Sequence, residues 1–119
     1  MSALWYARAM SIDRTVAFIG AGNMASSIID GLLAAGTDPS SLRINNRSVE
    51  KLAPWKAKGI EQLGSDNLAA AEGADVIVLA VKPAQLREVC ESLAPTLKPQ
   101  QLVLSVAAGV VLFEARRQR

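Results

Sequence analysis

The sequence predicts an α/β domain, a doubly wound parallel sheet with strand order 3-2-1-4-5. Three observations carry that expectation. Short runs at Thr15–Ile19, Asp75–Val81 and Leu102–Val106 are rich in β-branched and other apolar residues, and the middle run is apolar on both faces, as a strand covered by helices on each side must be. Between such runs lie segments whose apolar residues recur at helical spacing. The resulting order, β-α-β-α-β-α-β-α-β, calls for parallel strands joined by right-handed crossovers.

Taken in order, Thr15-Val16-Ala17-Phe18-Ile19 is a buried strand that stops at Gly20. Ile28, Ile29, Leu32 and Leu33 mark the inner face of a helix over Ala25–Ala35, with Gly36 as its stop. Asp38-Pro39-Ser40 is turn chemistry, and Leu42–Asn45 reads as the second strand. Ser48 is placed to cap a helix from Val49 towards Lys58, which Pro54 interrupts unless it falls in the first turn. Ile60–Leu63 is an edge-strand candidate, and Asp66–Glu72 a short helix capped by Ser65 or Asp66. After the central strand, Pro83 opens a helix whose buried stripe is Leu86, Val89, Cys90, Leu93 and Leu97. Leu102–Val106 closes the sheet, followed by Ala107-Ala108-Gly109.

The chain's 119 residues fit one ordinary domain, read here as residues 15–112 between an extension (1–14) and a basic tail (113–119). With 50% hydrophobic and 20% charged residues it is a folded chain, not a disordered one. A net charge of +2 is too small to imply a nucleic-acid partner, and the basic residues at Lys51–Lys58 and Arg116–Arg119 form no recognition motif. One cysteine excludes an internal disulfide, and the absence of histidine excludes an imidazole acid or base and disfavours a zinc site. Met1–Arg14 has no apolar run of signal or membrane-span length, so the expected location is the cytoplasm, with no membrane partner.

Gly20-Ala21-Gly22-Asn23-Met24-Ala25 matches G-x-G-x-x-G/A directly after a buried strand and at the opening of a helix. In that Rossmann-type context Gly20 permits the tight turn and Gly22 lets the backbone approach a pyrophosphate. Ala25 keeps the helix close to the sheet, and the helix N-terminus offers N–H groups to phosphate. The dinucleotide crevice is expected where strands 1 and 4 meet. The second strand ends in Asn45-Asn46-Arg47-Ser48, with no acid until Glu50. NAD-binding domains usually place an acid there for the ribose 2′-hydroxyl, whereas Arg47, with Asn46 and Ser48, can hold a 2′-phosphate. The expected cofactor is therefore NADPH, with NADH as the alternative.

Four stretches together resemble the pyrroline-5-carboxylate reductase family. They are Phe18–Ala25, Asn46-Arg47-Ser48, Ala80-Val81-Lys82-Pro83 and Ser105-Val106-Ala107-Ala108-Gly109, and the similarity runs from about Thr15 to Leu112. The resemblance implies reduction of 1-pyrroline-5-carboxylate to proline with NAD(P)H. It implies that Ala21, Asn23 and Met24 belong to the phosphate turn and that Asn46, Arg47 and Ser48 hold the adenosine end. Asn67 would lie near its ribose, with Ala80, Val81 and Lys82 lining the path to the nicotinamide and Ala108 closing it. Cys90, on an apolar stripe, reads as core. Family members continue into a helical domain that forms a homo-oligomer and much of the substrate site, and the text to Arg119 contains nothing like it. The chain thus reads as a partial reductase, the alternatives being a non-catalytic NADP(H)-binding module or the cofactor domain of a related coenzyme-F420-dependent NADP reductase. Negligible reduction of 1-pyrroline-5-carboxylate is expected from the 119-residue chain alone, and robust turnover by a purified, mass-verified sample would contradict that.

Overall fold

Every residue of β1 (Val16–Ile19) is apolar and buried, so this strand can only be central. The computed structural model, which describes residues 14–106 and the backbone of 110–114, places it there. It pairs in parallel with β2 (Leu42–Asn45) on one side and with β4 (Val76–Leu79) on the other. β3 (Gln62–Gly64) lies outside β2, and β5 (Leu102–Ser105) outside β4, which gives the expected order 3-2-1-4-5.

Alternation along β1 divides the core into two layers. Val16 and Phe18 pack with Ala25, Ile29 and Leu32 of α1 (Asn23–Ala34) and with Trp55 of α2 (Ala53–Ala57). Ala17 and Ile19 face the opposite layer, with Ala71 of α3 (Asn67–Ala71) and Val89 and Leu93 of α4 (Pro83–Leu93). Each large side chain removed from water here contributes on the order of 1.5–3 kcal/mol. The first two crossovers therefore share one face, and the chain changes face between β3 and β4. That reversal opens the crevice between β1 and β4 at the carboxyl ends of the strands.

Two expectations need correction. The segment 113–119 is not all tail, because β6 (Val110–Glu114) adds antiparallel to β5 and takes Phe113 and Glu114 into the sheet. Its five residues follow the glycine at 109 too closely for a crossover, and a short connection permits only antiparallel pairing. Residues 1–13, 107–109 and 115–119 lie outside the described residues. Ser48 does precede the next helical segment, but its side chain makes no capping hydrogen bond. A 3₁₀ stretch, Val49–Leu52, comes first, and α2 follows with Pro54 in its first turn, where the missing N–H is not needed. By contrast Asp66 caps α3 as expected, accepting from Leu68 N–H at 3.0 Å.

Polar side chains fix the layers relative to each other. Asp75 accepts from Thr15 N–H at 2.9 Å and so aligns the starts of β1 and β4. Arg43 donates to the Gln62 side chain and to the Ala70 carbonyl, which neutralises the C-terminal end of α3. Gln101 is buried and fully used: Nε2 donates to the Ala71 and Ala74 carbonyls at 3.0 and 2.8 Å, while Oε1 accepts from Lys98 N–H at 2.8 Å. Replacing Gln101 by Leu removes all three bonds from a dry site and is expected to cost about 2 kcal/mol. Urea unfolding measures this directly, and an unchanged midpoint would contradict it.

Candidate functional site

The site begins where β1 leaves the sheet. Gly20 takes φ +103°, and a Cβ on it would lie 2.5 Å from the Ala80 carbonyl oxygen. Only glycine fits that close crossing of β1 over the end of β4. Its N–H donates to the Asn45 carbonyl at 2.7 Å, and Ala80 N–H donates to the Ile19 carbonyl at 2.8 Å, so the turn is tied to both neighbouring strands. Gly22 then precedes α1 as its N-cap, without a side-chain cap and with no acid in the first turn. Apart from Gly22 and its chain neighbours, nothing among the described residues lies within 4 Å of the place a Gly22 Cβ would occupy. With no side-chain cap and no first-turn acid, the first-turn N–H groups of α1 are left for a phosphate to meet.

The end of β2 turns back over this opening. Asn46 N–H donates to the Gly64 carbonyl at 2.9 Å, and the Asn46 side chain accepts from Ala21 N–H at 3.2 Å. The buried Asn45 carboxamide donates to Asn67 Oδ1, which brings the start of α3 to the rim.

These segments surround one cleft of about 330 Å³. Gly20, Ala21, Gly22, Asn46, Arg47, Ser48, Asn67, Ala80, Val81 and Lys82 all line it, drawn from four separate stretches of chain. Asn23 and Met24 do not line it. They stand exposed in the first turn of α1, and Met24 is 59% exposed and so is no part of the core. Ala108 lies outside the described residues. Lys51, Gln85, Glu88 and Ser92 also line the cleft and were not foreseen from the sequence. Lys51 follows Ser48 by one 3₁₀ turn, which was a usable signal. Gln85, Glu88 and Ser92 form the polar edge of α4, beside a buried stripe that was the only face of that helix considered.

Three cations, Arg47, Lys51 and Lys82, line the cleft against a single acid, Glu88. That balance suits an anionic ligand. A second depression of about 500 Å³ runs from Arg43 to Glu72, but there Arg43 is already committed to Gln62 and to the carbonyls of Ala70 and Glu72. Partial burial, with Glu91 adding to it, pushes the Cys90 thiol up, so it stays protonated at neutral pH and supplies no nucleophile. Among the described residues no group of His, Cys, Asp and Glu could hold a metal, and no helix is long and apolar enough to cross a membrane.

Fold, glycine turn and cleft define a class: a Rossmann-type domain with its opening at the topological switch point. Residues 15–109 match the family described as NADP oxidoreductase, coenzyme F420-dependent, and the chain belongs to that family. Among curated proteins it is similar to pyrroline-5-carboxylate reductases. It is 45% identical over 101 residues to the one from Pseudomonas aeruginosa, an alignment covering 85% of this chain and 37% of the relative. It is 38% identical over 97 residues to that of Vibrio alginolyticus, covering 82% and 36%. A solved pyrroline-5-carboxylate reductase from Coxiella burnetii superposes with a TM-score of 0.73 at 43% identity, over 79% of this chain and 35% of that one. The chain thus spans little more than a third of the length of the relatives it matches.

Gly20→Ala is expected to cost at least about 2 kcal/mol and to distort the cleft, because the added methyl meets rigid backbone in a left-handed conformation. Denaturant unfolding of the variant would show it, and wild-type stability would contradict the close crossing.

Proposed function

We propose that this chain binds NADPH in preference to NADH and provides the cofactor side of a pyrroline-5-carboxylate reductase. The observation that carries the reading is the cleft between β1 and β4, which joins an uncapped helix N-terminus to Arg47, Ser48 and Lys51 with no carboxylate at the end of β2. The pyrophosphate would rest against the first turn of α1, beside Gly22, Asn23 and Met24. Arg47, with Ser48 and Lys51, would hold the 2′-phosphate, and an acid at the same place would repel it. Asn67 would meet the adenosine ribose. Ala80, Val81 and Lys82 follow the end of β4 and would line the way to the nicotinamide, with Ala108 beyond them.

A bound nicotinamide dinucleotide supplies the hydride for such a reduction. In the proposed reaction the ring carbon of the substrate's C=N bond gains that hydride and the nitrogen ends with a proton, giving proline and oxidised cofactor. The cleft's residues would hold and orient the cofactor. They include no histidine and no activated thiol, and hydride transfer requires neither. The identity to named pyrroline-5-carboxylate reductases supports this substrate. A second reading, reduction or oxidation of coenzyme F420, is favoured only by the description of the matching family. A cytoplasmic location is part of the same proposal.

Calorimetry with the two cofactors tests the reading. NADPH is expected to bind more tightly than NADH, and Arg47→Glu to weaken NADPH by about tenfold or more while changing NADH little. Equal affinity of the wild-type chain for both cofactors would refute the preference.

A further inference from the structure

Asn46 lines the cleft, yet both polar atoms of its side chain are engaged within the protein. Oδ1 accepts from Ala21 N–H at 3.2 Å, and Nδ2 donates to the Ser48 carbonyl at 2.9 Å. The partners fix which way the carboxamide faces, since a backbone N–H can only donate and a carbonyl can only accept. Aspartate would offer the acceptor without the donor, and alanine neither.

We propose that Asn46 is a positioning residue whose carboxamide braces the glycine turn against the Arg47–Ser48 loop, holding the pyrophosphate and 2′-phosphate subsites of the cleft at a fixed separation. This rests on the NADPH reading above. Ala21 sits inside the turn, and Ser48 begins the 3₁₀ segment that carries Lys51. Gly20 N–H to the Asn45 carbonyl, Ala80 N–H to the Ile19 carbonyl and Asn46 N–H to the Gly64 carbonyl also secure the turn and the β2 end, all on the near side of Arg47. The bond from Lys51 N–H to the Ser48 carbonyl lies within the loop itself. Without the carboxamide, the Ser48 carbonyl keeps only its local bond from Lys51 N–H, and the loop that carries Arg47 and Lys51 loses its side-chain tie to the turn.

The consequence is specific to ligands that touch both subsites. A dinucleotide binds its second anchor as an intramolecular event, and that gain depends on the two anchors being set at the right separation beforehand. A ligand that touches one subsite gains nothing from the brace. Ala21 N–H, being taken by Asn46, is also withdrawn from the phosphate, which leaves that role to the N–H groups that open α1.

Amide hydrogen exchange on the full 119-residue chain tests the brace without any ligand. Ala21 N–H is expected to be protected in the wild type and in Asn46→Asp, which keeps the acceptor, and to exchange freely in Asn46→Ala. Fast exchange of Ala21 in the folded wild type would overturn the proposal. NMR titration with NADPH and with adenosine 2′-monophosphate then tests the coupling. Asn46→Ala should weaken NADPH by about tenfold and the monophosphate by less than about threefold. Asn46→Ser, which adds no charge and is too short to span both partners, serves the same comparison if Asn46→Ala does not fold. Equal losses for the two ligands would mean that Asn46 contacts the nucleotide directly or only supports the fold, and would sink the proposal. A wild-type chain that binds neither ligand would count against the NADPH reading itself, while the exchange result would still decide the brace.

Discussion

The main chain crosses from β1 to α1 at Gly20 in contact with the carbonyl of Ala80, in a space that holds no Cβ. Much of the rest depends on that contact. It lets β1 and β4 stay paired to their last residues, Ile19 and Leu79, while the turn rises over the sheet edge. It points the start of α1 into the crevice opened by the change of face between β3 and β4. It also brings the turn within hydrogen-bonding range of the end of β2, where Asn45 and Asn46 secure it. A bulkier residue at this one position would separate the three strand ends that build the cleft.

The cleft's chemistry follows from backbone more than from reactive side chains. Free N–H groups at a helix start carry partial positive charge, and Arg47, Lys51 and Lys82 add whole charges around the same opening. Polar residues whose amides are spent internally, Asn45 and Asn46 among them, give the opening its shape.

Most of the parallel sheet was legible because the patterns that specify it are local. β2 was read to its exact bounds from Leu42–Asn45, and β4 and β5 came within a residue or two from runs apolar on both faces. The glycine turn was legible for the same reason, as spacing in one stretch. What escaped was set by distance in the chain. Gln85 and Glu88 reach the cleft from α4 because the sheet order puts that helix beside β1, a fact no window of sequence contains. β6 escaped because pairing with β5 decides its state, and its ending in charged residues resembled a tail. Ser48 precedes its helical segment without a side-chain cap, whereas Asp66 caps as its type predicts. Asn46 was read as a ligand from its motif, while its hydrogen bonds tie it to Ala21 and Ser48.

The central claim is that a nicotinamide dinucleotide lies across the carboxyl ends of β1, β2 and β4 with its phosphates on the glycine turn. Amide NMR of the isotope-labelled chain during addition of NADPH tests it most directly. The largest shifts should fall at Gly22, Asn23 and Met24, at Arg47 and Ser48, and at Val81 and Lys82. Shifts absent from those amides, or concentrated in the depression between Arg43 and Glu72, would contradict it.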